Sequence, residues 1–103
     1  MLSNKDYCDY EIVLKLKELG YDYIRREGLI HLYEAQKWLR NTHNLHISTK
    51  PYPNEGGLMW MFEIRRFTPY LVCVIKNKTG FREAEEALLE GVREAVKLLK
   101  EEK

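Results

Sequence analysis

Between residues 58 and 64 the chain reads Leu-Met-Trp-Met-Phe-Glu-Ile, and in an extended segment this alternation gathers Leu58, Trp60, Phe62 and Ile64 on one wholly apolar face. The opposite face carries Met59, Met61, Glu63 and Arg65. A strand of this kind needs a helix over its apolar face and a paired strand on each side, because an isolated hairpin is marginal in water. The flanking sequence supplies both.

Upstream, Cys8, Ile12, Leu16 and Leu19 recur at helical spacing, with Ser3 or Asp6 as candidate N-caps and Gly20 placed to end the helix in the left-handed conformation, Tyr21 touching Leu16 across the cap. Residues 21 to 32 fit either a small hairpin turning at Glu27-Gly28 or an irregular connection. Residues 32 to 40 predict a second helix with Leu32, Ala35, Trp38 and Leu39 on one face, closed by Asn41, Thr42 and Asn44. Residues 45 to 50 alternate as a strand with Leu45, Ile47 and Thr49 inward, which Pro51 and Pro53 are expected to stop before a turn at Asn54-Glu55-Gly56-Gly57.

After Ile64, the residues Arg65-Arg66-Phe67-Thr68-Pro69 read as a turn, and residues 70 to 75 are apolar throughout, as expected of a third strand covered on both faces. Asn77, Lys78, Thr79 and Gly80 then form a loop, with Thr79 as candidate cap of a last helix over residues 81 to 99. That helix buries Ala84, Leu88, Gly91, Val92, Ala95 and Leu99. Its acids Glu83, Glu85 and Glu86 lie early and Lys97 and Lys100 late, as the helix dipole favours. Gly91 costs about 1 kcal/mol against alanine inside a helix, which predicts a close approach there to Trp38 or Trp60. The sum is one α+β domain over residues 1 to 103: a three-stranded antiparallel meander packed by two to three helices.

Composition narrows the classes. The chain has 103 residues, 45% of them hydrophobic, enough for a single core and too few for two. No apolar run approaches the roughly 18 residues needed to span a bilayer, and no signal peptide is visible at the start. With only Cys8 and Cys73, a disulfide framework is not implied, and a reduced, cytoplasmic setting is the expectation. The net charge of +1 hides a segregation: residues 1 to 36 hold five Lys/Arg against seven Asp/Glu, residues 37 to 82 eight against two, and residues 83 to 103 four against seven. A basic middle between acidic ends implies either charge complementarity within the fold or a basic surface on the sheet.

Several stretches carry a resemblance. The run LYEAQKWLR at residues 32 to 40, His43-Asn44-Leu45-His46-Ile47, the closing helix with Glu85-Glu86-Ala87-Leu88, Gly91-Val92 and Glu94-Ala95-Val96-Lys97-Leu98-Leu99, and Tyr7-Cys8-Asp9-Tyr10-Glu11 with Leu16-Lys17-Glu18-Leu19-Gly20 resemble a group of short uncharacterised proteins of gut anaerobic bacteria, their phages and mobile elements. That resemblance covers most of the chain and implies a bacterial or phage context, with no activity, cofactor or site residue attached. From Leu32 onward the order helix, three strands, helix is also similar to the double-stranded RNA-binding domain. That family opens its last helix with a lysine cluster that grips phosphate, whereas this chain reads Thr79-Gly80-Phe81-Arg82-Glu83-Ala84-Glu85-Glu86.

No catalytic set emerges from the residue pattern. His43 and His46, with His31 further back, lack the spaced ligands of a metal site and read as surface residues near a turn. Cys8, in the first turns of a predicted helix, could be favoured as thiolate by the dipole, but its spacing to Ile12 fits a small core residue better; Cys73 reads as an inert buried thiol. No cofactor or metal is expected. The basic group Lys50, Arg65, Arg66, Lys76 and Lys78, interleaved with Tyr52, Phe67 and Tyr70, is the candidate nucleic-acid-binding set. Its alternative is that Lys and Arg shield strand edges while the rings pack. The expectation from sequence is a small non-catalytic module that binds another macromolecule, a protein first, through the apolar remainder around Met59, Met61 and Phe67. Nucleic-acid binding through the basic middle is the alternative.

Overall fold

In the computed structural model, which describes residues 7 to 21 and 30 to 102, the alternation over residues 58 to 64 sits at the centre of a three-stranded antiparallel sheet. The chain runs α1 (Tyr10–Glu18), α2 (Leu32–His43), β1 (His46–Asn54), β2 (Gly57–Phe67), β3 (Val72–Phe81) and α3 (Ala84–Glu101). The strands lie in the order β1-β2-β3, the meander expected of short connections. The helix caps at Ser3 or Asp6 and the hairpin at Glu27-Gly28 lie outside the described residues. None of the described helices is long and apolar enough to cross a membrane.

Helix α1 is shorter than its apolar spacing predicts. Asp9 is its N-cap, accepting from the Ile12 N–H at 3.2 Å, so Cys8 lies in extended backbone before the helix, its N–H donating to the Ile30 carbonyl at 2.8 Å. The predicted ending holds. Gly20 takes φ +108°, its N–H donates to the Lys17 carbonyl, and the Tyr21 N–H donates to the Leu16 carbonyl, satisfying the last carbonyls of the helix. The other Asp9 carboxylate oxygen meets Arg93 of α3, which also holds Glu90. One aspartate therefore caps α1 and ties it to α3.

Helix α2 carries Leu32, Ala35 and Leu39 fully into the core with Trp38 packed beside them, as predicted. It continues through Asn41 and Thr42 to His43 and ends at Asn44, in the left-handed conformation at φ 55°. Pro51 and Pro53 do not stop β1. They lie inside it, opposite Trp60 and Leu58 of β2. The reason is position: β1 is an edge strand, and a proline whose missing N–H would point to solvent breaks no ladder bond. Likewise β2 runs on through Arg65, Arg66 and Phe67, and the turn falls after it, where Thr68 Oγ1 accepts from the N–H groups of Tyr70 and Leu71.

All three described helices lie to one side of the sheet. Helix α3 covers β1 and β2, with α1 and α2 packed against it. Beneath it Phe62 and Ile64 are fully buried, together with Leu45, Ile47, Ala87, Val92, Ala95 and Val96, while Trp60 is half-buried at the margin. The roof ends before Leu58, which is 63% exposed despite its place in the apolar alternation. Gly91 does mark a close approach, but its neighbours are Ile47 and Phe62 rather than Trp38 or Trp60. A Cβ there would lie 2.7 Å from Ile47 Cγ2 and 3.3 Å from Phe62 Cγ. Trp38 is engaged elsewhere, edge-on to Tyr21 and His43.

The largest departure from the sequence expectation is β3. It is not covered on both faces, and residues 77 to 80 are strand rather than loop. Thr79 accordingly caps nothing; Glu83 is the N-cap residue of α3 and makes no side-chain cap bond. An apolar run reads alike whether two layers cover it or none does, and with every helix on the same side nothing in the described chain reaches the other face.

Candidate functional site

Two ionic clusters organise the sheet. On the face away from the helices, Glu63 of β2 is the one buried charged residue among those described, at 8% exposure. Lys50 Nζ of β1 stands 3.1 Å and Arg65 Nη2 2.7 Å from its Oε2. Burial pushes the Glu63 carboxyl up, but the close Lys50 ammonium and Arg65 guanidinium outweigh it and hold the group below the usual carboxylate range. On the helix side, Lys76 of β3 donates to Glu94 of α3 at 2.6 Å. That hydrogen bond, followed by the charges of Lys76, Lys97 and Lys78, lowers Glu94 against a smaller opposing effect of burial.

The five basic residues singled out in the sequence are thereby divided. Lys50 and Arg65 point to the open face beside Glu63; Arg66, Lys76 and Lys78, opposite Cys73, Ile64 and Phe62 in the ladder, alternate to the helix side. Arg66 forms a pair with Glu102 at 3.1 Å. Four of the five thus carry a carboxylate from the fold itself, and among the described residues only Lys78 has no such partner within salt-bridge distance. Of the two readings of the charge segregation, complementarity within the fold accounts for the Arg66 and Lys76 pairs, each joining the basic middle to the acidic last segment.

Both depressed carboxyls set an expected pH dependence. Their folded-state values lie below the ordinary 4.5, so the stability they contribute is complete above that pH and is lost as pH falls through the lower folded-state values. Thermal melts are expected to show the wild type losing stability below about pH 4.5 and the Glu63→Gln/Glu94→Gln variant following a flatter profile there. The cost per site near neutrality is about 1 kcal/mol, because the partner cations are partly hydrated. Identical slopes for the two proteins would show that neither pair contributes.

The thiols and imidazoles occupy different settings. Cys8 is a core residue, as its spacing to Ile12 suggests, and burial, aided by the charges of Asp9 and Glu34, pushes its thiol up to about 12. Cys73, expected to be buried, is exposed on β3. His46 bonds Asn44 Oδ1 at 2.9 Å and lies edge-on to Phe67, while His31 caps α2 by accepting from the Tyr33 N–H at 3.2 Å. Among the described residues no three His, Cys, Asp or Glu side chains group as metal ligands.

What the open side of the sheet does present is apolar. Val72 and Val74, opposite Phe67 and Arg65, stand on that face at 52% and 49% exposure. Phe67, at 43%, shares that face, and Leu71 at 54%, Ile75 at 37% and Tyr70 at 93% are exposed beside it. Met59 and Met61 are half-buried farther along. Sequence reasoning named Phe67, Met59 and Met61 but not the β3 residues, because an unbroken apolar run signals burial. Fold and surface together define a small α+β domain with a one-sided helical layer and an open-faced antiparallel sheet. No protein family, curated protein or solved structure matches the chain.

Proposed function

We propose that this chain is a non-catalytic protein-binding module whose partner docks on the open sheet face and the β3 strand. The observation that carries the reading is the exposed run from Leu71 to Ile75, in which Leu71, Val72, Val74 and Ile75 are each at least 37% exposed, with Phe67 and Tyr70 exposed beside it. Contiguous apolar surface of this kind costs solubility unless it is used, and interaction sites are where folded domains keep it. Glu63 with Lys50 and Arg65 fits the same reading as a polar anchor on that face, since a carboxylate already paired with two cations can be covered by a partner at lower desolvation cost than a bare ion. The resemblance to short bacterial and phage proteins gives a context for such an adaptor, and the two-cysteine composition fits a cytoplasmic setting for it.

The test is a photo-crosslinker placed at position 74 of the full chain, compared with one at Lys37 on the outer face of α2. Protein adducts from position 74 and none above background from position 37 are the expected result. Equal yields from both positions, or adducts to nucleic acid, overturn the reading. Nucleic-acid binding through Lys50, Arg65, Arg66, Lys76 and Lys78 is the second reading, supported by the order α2-β1-β2-β3-α3 and by Lys78, which among the described residues has no carboxylate within salt-bridge distance. It requires affinity that falls steeply with salt and is weakened by Arg65→Ala and Arg66→Ala. The pairing of four of these side chains and the acids at the start of α3 weigh against it.

A further inference from the structure

We propose that β3 pairs antiparallel with β3 of a second copy of this chain, about a two-fold axis through Cys73, joining two three-stranded sheets into one of six strands. The inference rests on the reading of β3 as a protein-binding surface and names its partner. The first support is the asymmetry of the two sheet edges. Pro51 and Pro53, two residues apart in β1, occupy equivalent ladder positions and remove two N–H donors from the outer edge of that strand. Over Val72–Phe81 there is no proline, so the outer edge of β3 keeps every donor and acceptor. With one edge blocked and one open, pairing closes at two subunits and cannot propagate into a filament.

Register supplies the second support. In an antiparallel pair, residues directly opposite point to the same face. With the axis at Cys73, Val72 meets Val74 of the second copy and Leu71 meets Ile75, apolar against apolar, with Val72 and Val74 on the shared open face. An axis at Asn77 sets Lys76 against Lys78 of the second copy twice, like charges directly opposite. An axis at Ile75 sets Val74 against Lys76, which fails because the bulge between Ile64 and Arg65 leaves those two on opposite faces. The same bulge limits the new ladder to the segment before Lys76. So short a ladder with its apolar flank lies at the low end of specific interfaces, and the dimer is expected to form in the micromolar range.

The axis makes a sharp geometric statement: the two Cys73 residues lie directly opposite, with Cα atoms about 4.5 to 5.5 Å apart, inside disulfide reach. The experiment uses the purified full chain. Sedimentation should show a monomer and dimer in concentration-dependent exchange. Treatment with diamide, which takes up two electrons and two protons as two thiols become one disulfide, should trap a covalent dimer. Cys73→Ser should abolish the trapping and leave the association, while Val74→Lys should weaken association at least tenfold with an unchanged melt. A chain that sediments as monomer throughout, or a dimer indifferent to Val74→Lys and not trapped through Cys73, overturns the proposal. If position 74 still crosslinks to another protein in either case, the protein-binding reading stands and only the second copy as partner falls; loss of those adducts ends both.

Discussion

Replacing Phe62 with alanine is expected to cost about 3 to 5 kcal/mol. The ring is fully buried at the middle of β2, lies against the Gly91 stretch of α3, and has the Phe81 ring 5.9 Å away. It is the largest of the fully buried side chains, and the sheet and helix that frame the cavity are both held by other contacts, so collapse into the space would be incomplete. Domains of this size have about 5 to 15 kcal/mol in total, so the variant should sit near its unfolding threshold at ambient temperature. Urea denaturation followed by circular dichroism reads the loss directly. A cost under about 1 kcal/mol would mean that α3 does not rest on this residue and that the layer arrangement is wrong.

Gly91→Leu is expected to cost about 3 kcal/mol or more, from the opposite error of overpacking. Leucine regains about 1 kcal/mol of helix propensity over glycine, yet its Cβ alone would come within 2.7 Å of Ile47 Cγ2. Ile47 is buried and β-branched, so its methyl cannot swing aside by a small rotation. The remaining carbons of leucine would have to displace α3 from the sheet. A double-mutant cycle isolates the contact: the cost of Gly91→Ala should shrink in an Ile47→Ala background, where the obstructing methyl is gone. Strict additivity of the two changes would place the obstruction elsewhere.

Neither experiment bears on function alone, but both bear on it through the sheet. The open face exists because α3 fits so closely on the other one, held there by Phe62, Gly91 and Ile47 and by the pairs Lys76–Glu94 and Arg66–Glu102. Loosening that roof would expose a second apolar face. A variant such as Gly91→Leu should therefore also aggregate, which separates its phenotype from that of Val74→Lys, where only surface changes.

Several features were legible before any coordinates. The period-two pattern around Trp60 placed Phe62 and Ile64 inward, and steps of three and four placed Leu32, Ala35 and Leu39 on the buried side of α2. Gly20 ended α1 as its position required. Helix limits were less legible, since Asp9 rather than an earlier residue took the cap once Cys8 was drawn into extended backbone by Ile30. Gly91 was recognised as a contact point while its neighbours were misassigned. Spacing within a helix tells which face is inward but not which residue of another element meets it.

By itself the sequence determined the kinds of elements, their order and the inward sides of β2, α2 and α3, because alternation and helical spacing are local properties of the chain. Tertiary structure alone decided which side of the sheet the helices would occupy, that Pro51 and Pro53 lie along a sheet edge, that one face of β3 is left open, and that Lys50 and Arg65 close on Glu63. Those outcomes depend on how many layers are available to cover a surface and on which distant charges they bring together, and neither quantity is written in any local stretch of residues.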